Sequence, residues 1–231
     1  MERRRLVYGR RRGHRLRAGR QALLDEQLPA LAIDPENLTA GDFDPHTLFD
    51  GPVRAIWLEI GFGAGEHLAW QAAANPDVGI IGCEPFINGV ASLCQKVDAG
   101  DLANVRVFMD DARLMLAALP DASVERLFVL FPDPWPKKRH HKRRIIHPQT
   151  IPAMVRVLAP GGELRAATDD SGYARWMLMH LGQAEGLSWR ARRAADWQSR
   201  PDDWPATRYE AKALAAGRQP VYLTYRRHER G

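Results

Sequence analysis

The sequence is poor in cysteine, with only Cys83 and Cys94 in 231 residues. Both sit among apolar neighbours, and no CxxC or Cys/His ligand spacing accompanies them. A disulfide scaffold is excluded, and a reducing compartment is expected. Long hydrophobic runs are also missing, so nothing approaches the roughly 18 apolar residues that would span a membrane. The basic first twenty residues lack the apolar stretch of a signal peptide, because Ala22-Leu23-Leu24 runs straight into Asp25-Glu26. No internal repeat is visible. The expectation is a cytoplasmic protein with no membrane partner.

What is present is ordinary in amount and uneven in placement. Apolar residues make up 45% and charged residues 26%, values of a globular chain with a core. The length fits one α/β domain with extensions. The net charge of +5 conceals two basic segments. Residues 1–20 hold nine arginines (Arg3, Arg4, Arg5, Arg10, Arg11, Arg12, Arg15, Arg17 and Arg20) and one acid, Glu2. Residues 137–144 hold six Lys/Arg and no acid. The remainder has 18 bases against 27 acids, a net of −9. An acidic body with compact basic segments points to a polyanionic partner. Residues 1–20 are expected to be a mobile arm and 21–231 a single domain.

Apolar, β-like runs at Ala55–Ile60, Val78–Cys83, Val105–Met109, Arg126–Phe131 and Glu163–Thr168 alternate with helix-like stretches at 66–74, 86–99, 112–118 and 149–158. That alternation predicts right-handed βαβ units in a doubly wound, mostly parallel sheet of the Rossmann-like kind. Pro160-Gly161-Gly162 reads as a stop before the fifth strand. Leu187–Ala191 and Val221–Arg226 read as two further strands, seven in all, with a polar, Trp-rich connection between them.

The first strand ends in Glu59-Ile60-Gly61-Phe62-Gly63-Ala64-Gly65. Alternate glycines let the chain turn tightly and let a ligand touch backbone. The dinucleotide fingerprint needs GxGxxG, and here Gly65 comes one residue early. The shorter GxGxG form occurs in class I methyltransferases that use S-adenosylmethionine, a cofactor without a pyrophosphate. Glu84 ends the second strand, where a carboxylate can accept both ribose hydroxyls. Asp110 or Asp111, ending the third, can reach an adenine edge. A helix cap is the plainer role for any one such acid.

Residues 131–144 read Phe-Pro-Asp-Pro-Trp-Pro-Lys-Lys-Arg-His-His-Lys-Arg-Arg. Three alternate prolines stiffen this loop and forbid helix. Asp133 is its acid. Trp135 either offers a flat face to a base or anchors the loop, and both readings stand. Lys137 onward supplies charge for phosphates. His140 and His141 have no carboxylate or cysteine to complete a metal set, and no metal is expected.

LEIGFGAG, GCEP, FPDPWPKKRHHKRR, ATDDSGYA and TRYE together resemble the bacterial tRNA (guanine-N7-)-methyltransferases. The resemblance runs from the basic arm to the last strand, with Tyr209 where the family usually has Phe. It implies methyl transfer from S-adenosylmethionine to N7 of guanine 46 in the tRNA variable loop. It also implies that Glu59, Glu84, Asp111 and Asp133 contact the cofactor or reacting centre, alongside the glycine loop of Gly61, Gly63 and Gly65. Asp133 corresponds to the family's proposed catalytic residue. Lys137, Asp169, Thr207, Arg208, Tyr209 and Glu210 would handle guanine or tRNA. An exocyclic-amine methyltransferase would carry two adjacent prolines before its aromatic, whereas Pro134 meets Trp135 directly. A dehydrogenase would need GxGxxG, and a plain RNA-binding protein would need no acid-lined cofactor site. A monomer is expected, since the basic segments need open access to RNA.

Overall fold

β1 (Ala55–Ile60), β2 (Val78–Cys83) and β3 (Val105–Phe108) are runs of apolar and β-branched residues, and nearly every side chain in them is buried. Burial on both faces is the condition of a parallel sheet covered by helices. A computed structural model, describing residues 8, 11–38 and 43–229, has these strands in one seven-stranded sheet, ordered β3-β2-β1-β4-β5-β7-β6. β4 is Val124–Leu130, β5 Leu158–Thr168, β6 Leu187–Trp189 and β7 Val221–Arg227. Flanking helices are α1 (Ala18–Leu31), α2 (Glu66–Ala74), α3 (Ile87–Gly100), α4 (Ala112–Ala118), α5 (Ile151–Val157), α6 (Ser171–Gly182), α7 (Ala195–Gln198) and α8 (Arg208–Ala215). The expected mostly parallel, Rossmann-like sheet is present. Residues up to Pro120 and from Asp121 onward form two compact units.

In the first unit β1 pairs with β2 and β2 with β3, both parallel. α3 buries Val90, Ala91, Leu93, Cys94 and Val97, an i, i+3, i+4, i+7 stripe. Burial pushes the Cys94 thiol up to about 11. α1 begins within the expected arm. Arg3, Arg4, Arg5 and Arg10 lie outside the described residues. Ahead of α1, the Ile87 N–H donates to the Arg11 carbonyl (3.0 Å), and Asn88 exchanges hydrogen bonds with Gly13 and His14.

In the second unit β4 and β5 are parallel, and β7 lies antiparallel between β5 and β6. Several boundaries differ from expectation: β4 begins at Val124 and ends at Leu130, β5 begins at Leu158, β6 ends at Trp189 and β7 ends at Arg227. β5 starts at Leu158, so Pro160-Gly161-Gly162 lies inside the strand. Its register on β4 shifts between Val124 and Arg126, and Gly161 takes φ +73°. The segment bulges out of the ladder because Pro160 has no N–H to give, and pairing resumes at Glu163. β4 stops at Leu130, because Phe131 turns to φ +50°. The expected polar connection between β6 and β7 contains α7 and α8. α8 opens on Thr207, whose hydroxyl accepts from the Glu210 N–H at 3.3 Å. This Thr-x-x-Glu spacing is a helix-start signal the sequence does carry.

Gly89 in α3 lies against the glycine loop so closely that a β-carbon there would collide with the Gly63 carbonyl oxygen. Gly89→Ala is expected to cost about 1–3 kcal/mol of stability through overpacking. Urea unfolding of the two proteins checks this, and equal midpoints would contradict the close approach.

Candidate active-site residues

The glycine loop leaves β1 with Gly61, Gly63 and Gly65 at φ +76°, +56° and +75°. Such angles are costly for residues bearing a β-carbon. The Gly61 N–H donates to the Cys83 carbonyl at 2.7 Å, tying the loop to the end of β2. Glu84 then fixes its outer arc. Its Oε2 accepts from the Gly63 N–H at 2.9 Å and its Oε1 from the Phe86 N–H at 3.0 Å. Both oxygens are thereby aimed by backbone.

Glu59, at the end of β1, is buried with 3% exposure. Its Oε2 lies 2.7 Å from His67 Nδ1, and His67 Nε2 is 3.1 Å from Gln71 Nε2. Gln71 Oε1 accepts from Asn75 Nδ2 at 3.3 Å, which makes Nε2 the donor toward His67. His67 thus bridges Glu59 and Gln71, holding the carboxylate side chain in place at the end of β1. His67 and Gln71, four residues apart on one face of α2, are site-supporting residues the sequence reading missed. The i, i+4 spacing was the available signal.

Asp111 caps α4, accepting from the Arg113 N–H at 2.9 Å, and it pairs with the Arg113 guanidinium at 3.2 Å. Asp110 accepts from the Asp111 N–H at 2.8 Å and pairs with Arg11 at 2.9 Å. Both acids thus have structural duties, and Asp111 is the more buried.

These residues suit a nucleoside cofactor without phosphates. A β-carbon at Gly61 would meet no atom within 4 Å, so that backbone is open to a ligand. Glu66 sits in the first turn of α2, where an acid opposes a pyrophosphate at the helix N-terminus. Adenosylmethionine is a cation, and the acidic residue types Glu59 and Glu84 at the two strand ends are of the sign that suits it.

In the second unit the Pro132–Pro136 loop follows β4. Phe131 and Trp135 hold φ +50° and +43°, each at a cost of about 1–2 kcal/mol. Packing maintains them. Phe131 packs on a buried cluster of Ala167, Trp204 and Tyr222. Trp135 lies under the Arg143 guanidinium (4.9 Å) and edge-on to His140 (5.9 Å). Arg144 is buried, contrary to its expected place in a phosphate-facing run. Its Nε donates to the Pro134 carbonyl at 2.8 Å, and its guanidinium covers Tyr173 and Trp176, each at 4.8 Å. Trp176 Nε1 in turn donates to the Ile146 carbonyl at 2.8 Å. Arg144 thus clamps both ends of the segment, and Lys138–Arg143 winds into a 3-10 helix between them. Lys137 and Asp133 are exposed. Asp133 has no hydrogen bond or ion pair among the described residues.

Asp169, after β5, pairs with Arg218 at 2.6 Å. Glu210 Oε1 accepts from the Tyr222 hydroxyl at 2.7 Å and from Arg200 Nε at 3.1 Å. Burial, and then the Glu210 carboxylate, raise the Tyr222 pKa, so the phenol stays protonated and donates. Glu210 is therefore buried and engaged, whereas Tyr209 is exposed with Arg208 over its ring at 5.2 Å. Arg144, Arg200, Arg218 and Tyr222 carried no local sequence signal, since their partners are distant along the chain.

A seven-stranded sheet of this order, with its glycine loop after β1 and a carboxylate after β2 that binds that loop, is that of a class I methyltransferase. Solved structures agree on the fold. The 16S rRNA methyltransferase KamB superposes with a TM-score of 0.57 at 16% identity, over 76% of this chain and 89% of that one. The 16S rRNA (adenine(1408)-N(1))-methyltransferase from Catenulisporales acidiphilia gives 0.53 at 16% identity, over 86% and 94%. Residues 53–223 match a family model described as a putative methyltransferase. A tRNA (guanine-N(7)-)-methyltransferase of Rhodospirillum rubrum is 54% identical over 224 residues, covering 96% of this chain and 88% of the relative. One of Ruegeria pomeroyi is 50% identical over 230 residues, covering 98% and 96%. The chain belongs to the tRNA (guanine-N(7)-)-methyltransferase family.

The clamp makes a specific demand on Arg144. Arg144→Ala removes a buried cation–π pair and a charge-assisted hydrogen bond, a loss of about 1–3 kcal/mol. Trypsin should then cut within residues 137–143 faster than in the parent. Unchanged cleavage would show that the turn holds without Arg144.

Proposed function

We propose that the protein transfers the methyl group of S-adenosylmethionine to N7 of a guanine in tRNA, at position 46 of the variable loop. The family supports the activity. The structural observation that carries the reading is Asp133, a carboxylate with no internal partner among the described residues. It stands on a strained loop four residues ahead of a basic turn. When bound, S-adenosylmethionine supplies an electrophilic methyl on a sulfonium.

Guanine N7 carries an in-plane lone pair and no proton, so the protein needs no base to make a nucleophile. What its residues supply is position, which is worth up to roughly 7–11 kcal/mol in a near-attack geometry. Asp133 and Asp169 accept from the guanine N1–H and exocyclic amine. Asp169 shares its charge with Arg218 while doing so. These carboxylates also stabilise the positive charge that the methylated ring acquires. Glu210, already engaged by Tyr222 and Arg200, orients the start of α8, and Thr207, Arg208 and Tyr209 meet the RNA. Lys137 meets a phosphate. Glu59, the glycine loop, Glu84 and Asp111 hold the cofactor.

No helix among the described residues is long and apolar enough to cross a membrane. A tRNA substrate places the protein in the cytoplasm, and open basic segments favour a monomer. Residues 1–20 add sequence-independent tRNA affinity.

The test is incubation of pure protein with labelled cofactor and unmodified tRNA, followed by mapping of the methylated base. Label on N7 of the variable-loop guanine is expected, and label on an exocyclic amine would overturn the reading. Asp133→Ala should lower turnover by about 100-fold or more, and full turnover would remove Asp133 from the site. Glu84→Ala should weaken cofactor binding at least about tenfold by calorimetry, given two charge-assisted hydrogen bonds lost.

A further inference from the structure

The second unit contains another basic segment, Trp189-Arg190-Ala191-Arg192-Arg193. β6 is antiparallel to β7, which is antiparallel to β5. β6 therefore runs in the same direction as β4 and β5. The chain leaves β6 heading toward the strand ends that carry the Asp133 loop and Asp169, but Trp189 pairs with Tyr225, which pairs with Leu164, so it lies about 16 Å back along the strand from Asp169. β6 is two strands from β5, a lateral offset of about 10 Å.

The segment is built rather than loose. Arg190 N–H continues the ladder, donating to the Thr224 carbonyl at 2.9 Å. Asp196 Oδ2 accepts from the N–H groups of Arg192 (2.9 Å) and Arg193 (3.1 Å), and its Oδ1 takes Arg193 Nε at 3.0 Å. These hydrogen bonds hold the Asp196 carboxyl below its usual range. One acid thus fixes the turn and neutralises one of three arginines.

Five other arginines of this unit are tied to carboxylates. Arg126 and Arg165 bind Asp203, Arg156 binds Asp121, Arg200 binds Glu210 and Arg218 binds Asp169. The side chains of Arg190 and Arg192 are exposed and have no such partner among the described residues. Beside them Trp189 is 41% exposed, its ring stacked on Tyr225 with centroids 6.5 Å apart and planes at 21°. A rigid indole with one face supported, flanked by uncompensated guanidinium groups, suits unpaired bases and their phosphates.

We infer that Trp189, Arg190 and Arg192 form an RNA-docking surface that grips the tRNA outside the guanine site. Trp189 stacks on an unpaired base, and the two arginines neutralise backbone phosphates. This rests on the proposed function for its partner, but its test needs no turnover. The full chain, Arg190→Ala/Arg192→Ala, Arg190→Lys/Arg192→Lys and Trp189→Ala are titrated with unmodified tRNA over a range of salt. Each phosphate contact on a single strand contributes about 0.7 to the slope of log affinity against log salt, so the double alanine variant should lose about 1.4. The double lysine variant should keep the parental slope. Trp189→Ala should bind roughly tenfold more weakly, with its slope preserved. Calorimetry with S-adenosylmethionine and a thermal melt, both matching the parent, show that each variant is folded.

A parental slope in the double alanine variant overturns the docking surface, as does a lysine pair that fails to restore it. Unchanged affinity in Trp189→Ala removes the stacking platform and with it the surface as drawn. A parent that binds tRNA with these differences yet methylates no guanine overturns the proposed function alone.

Discussion

Two hydrogen bonds, from the N–H groups of Gly63 and Phe86 to the Glu84 carboxylate, tie the turn after β1 to the turn after β2. Much of the first unit's chemistry depends on them. They give the glycine loop a fixed outline, and they orient the carboxylate by backbone groups. Gly89 follows from the same arrangement, since α3 must approach the loop it helps to hold.

The second unit uses charge differently. Its candidate-site acids face three situations: no partner among the described residues (Asp133), an exposed arginine (Asp169), and burial with two donors (Glu210). The basic run divides in the same way. Arg143 and Arg144 turn inward to Trp135, Pro134 and the aromatic pair Tyr173 and Trp176, whereas Lys137, Lys138, Arg139 and Lys142 remain on the outer side. Part of a basic run thus serves as scaffold for the rest, and net charge alone overstates what is offered to a polyanion.

Much of this was legible in the sequence. β1 and β2 fall on their apolar runs residue for residue, because parallel strands buried on both faces leave an uninterrupted apolar record. α4 at 112–118 is likewise as read. Local patterns also located the glycine loop and Glu84. Other features were hidden because they depend on partners far along the chain. Nothing near Arg144 announces that Tyr173 and Trp176 will cover it, and nothing near Glu210 announces Tyr222. The bulge at Pro160–Gly162 was read as a stop because proline and glycine signal a break in both cases. Only the resumed pairing of Glu163 with β4 distinguishes them.

The cysteine beside Glu84 has a consequence of its own. A sulfonium methyl donor is an alkylating agent, and a thiolate is among the best nucleophiles a protein can present to it. Cys83 is buried, and its pKa is raised first by burial and then by the charges of Asp111 and Glu84. Burial does most of this, with Asp111 and then Glu84 adding to it. The packing that closes the end of β2 thus keeps the sulfur protonated and a poor nucleophile toward an alkylating cofactor.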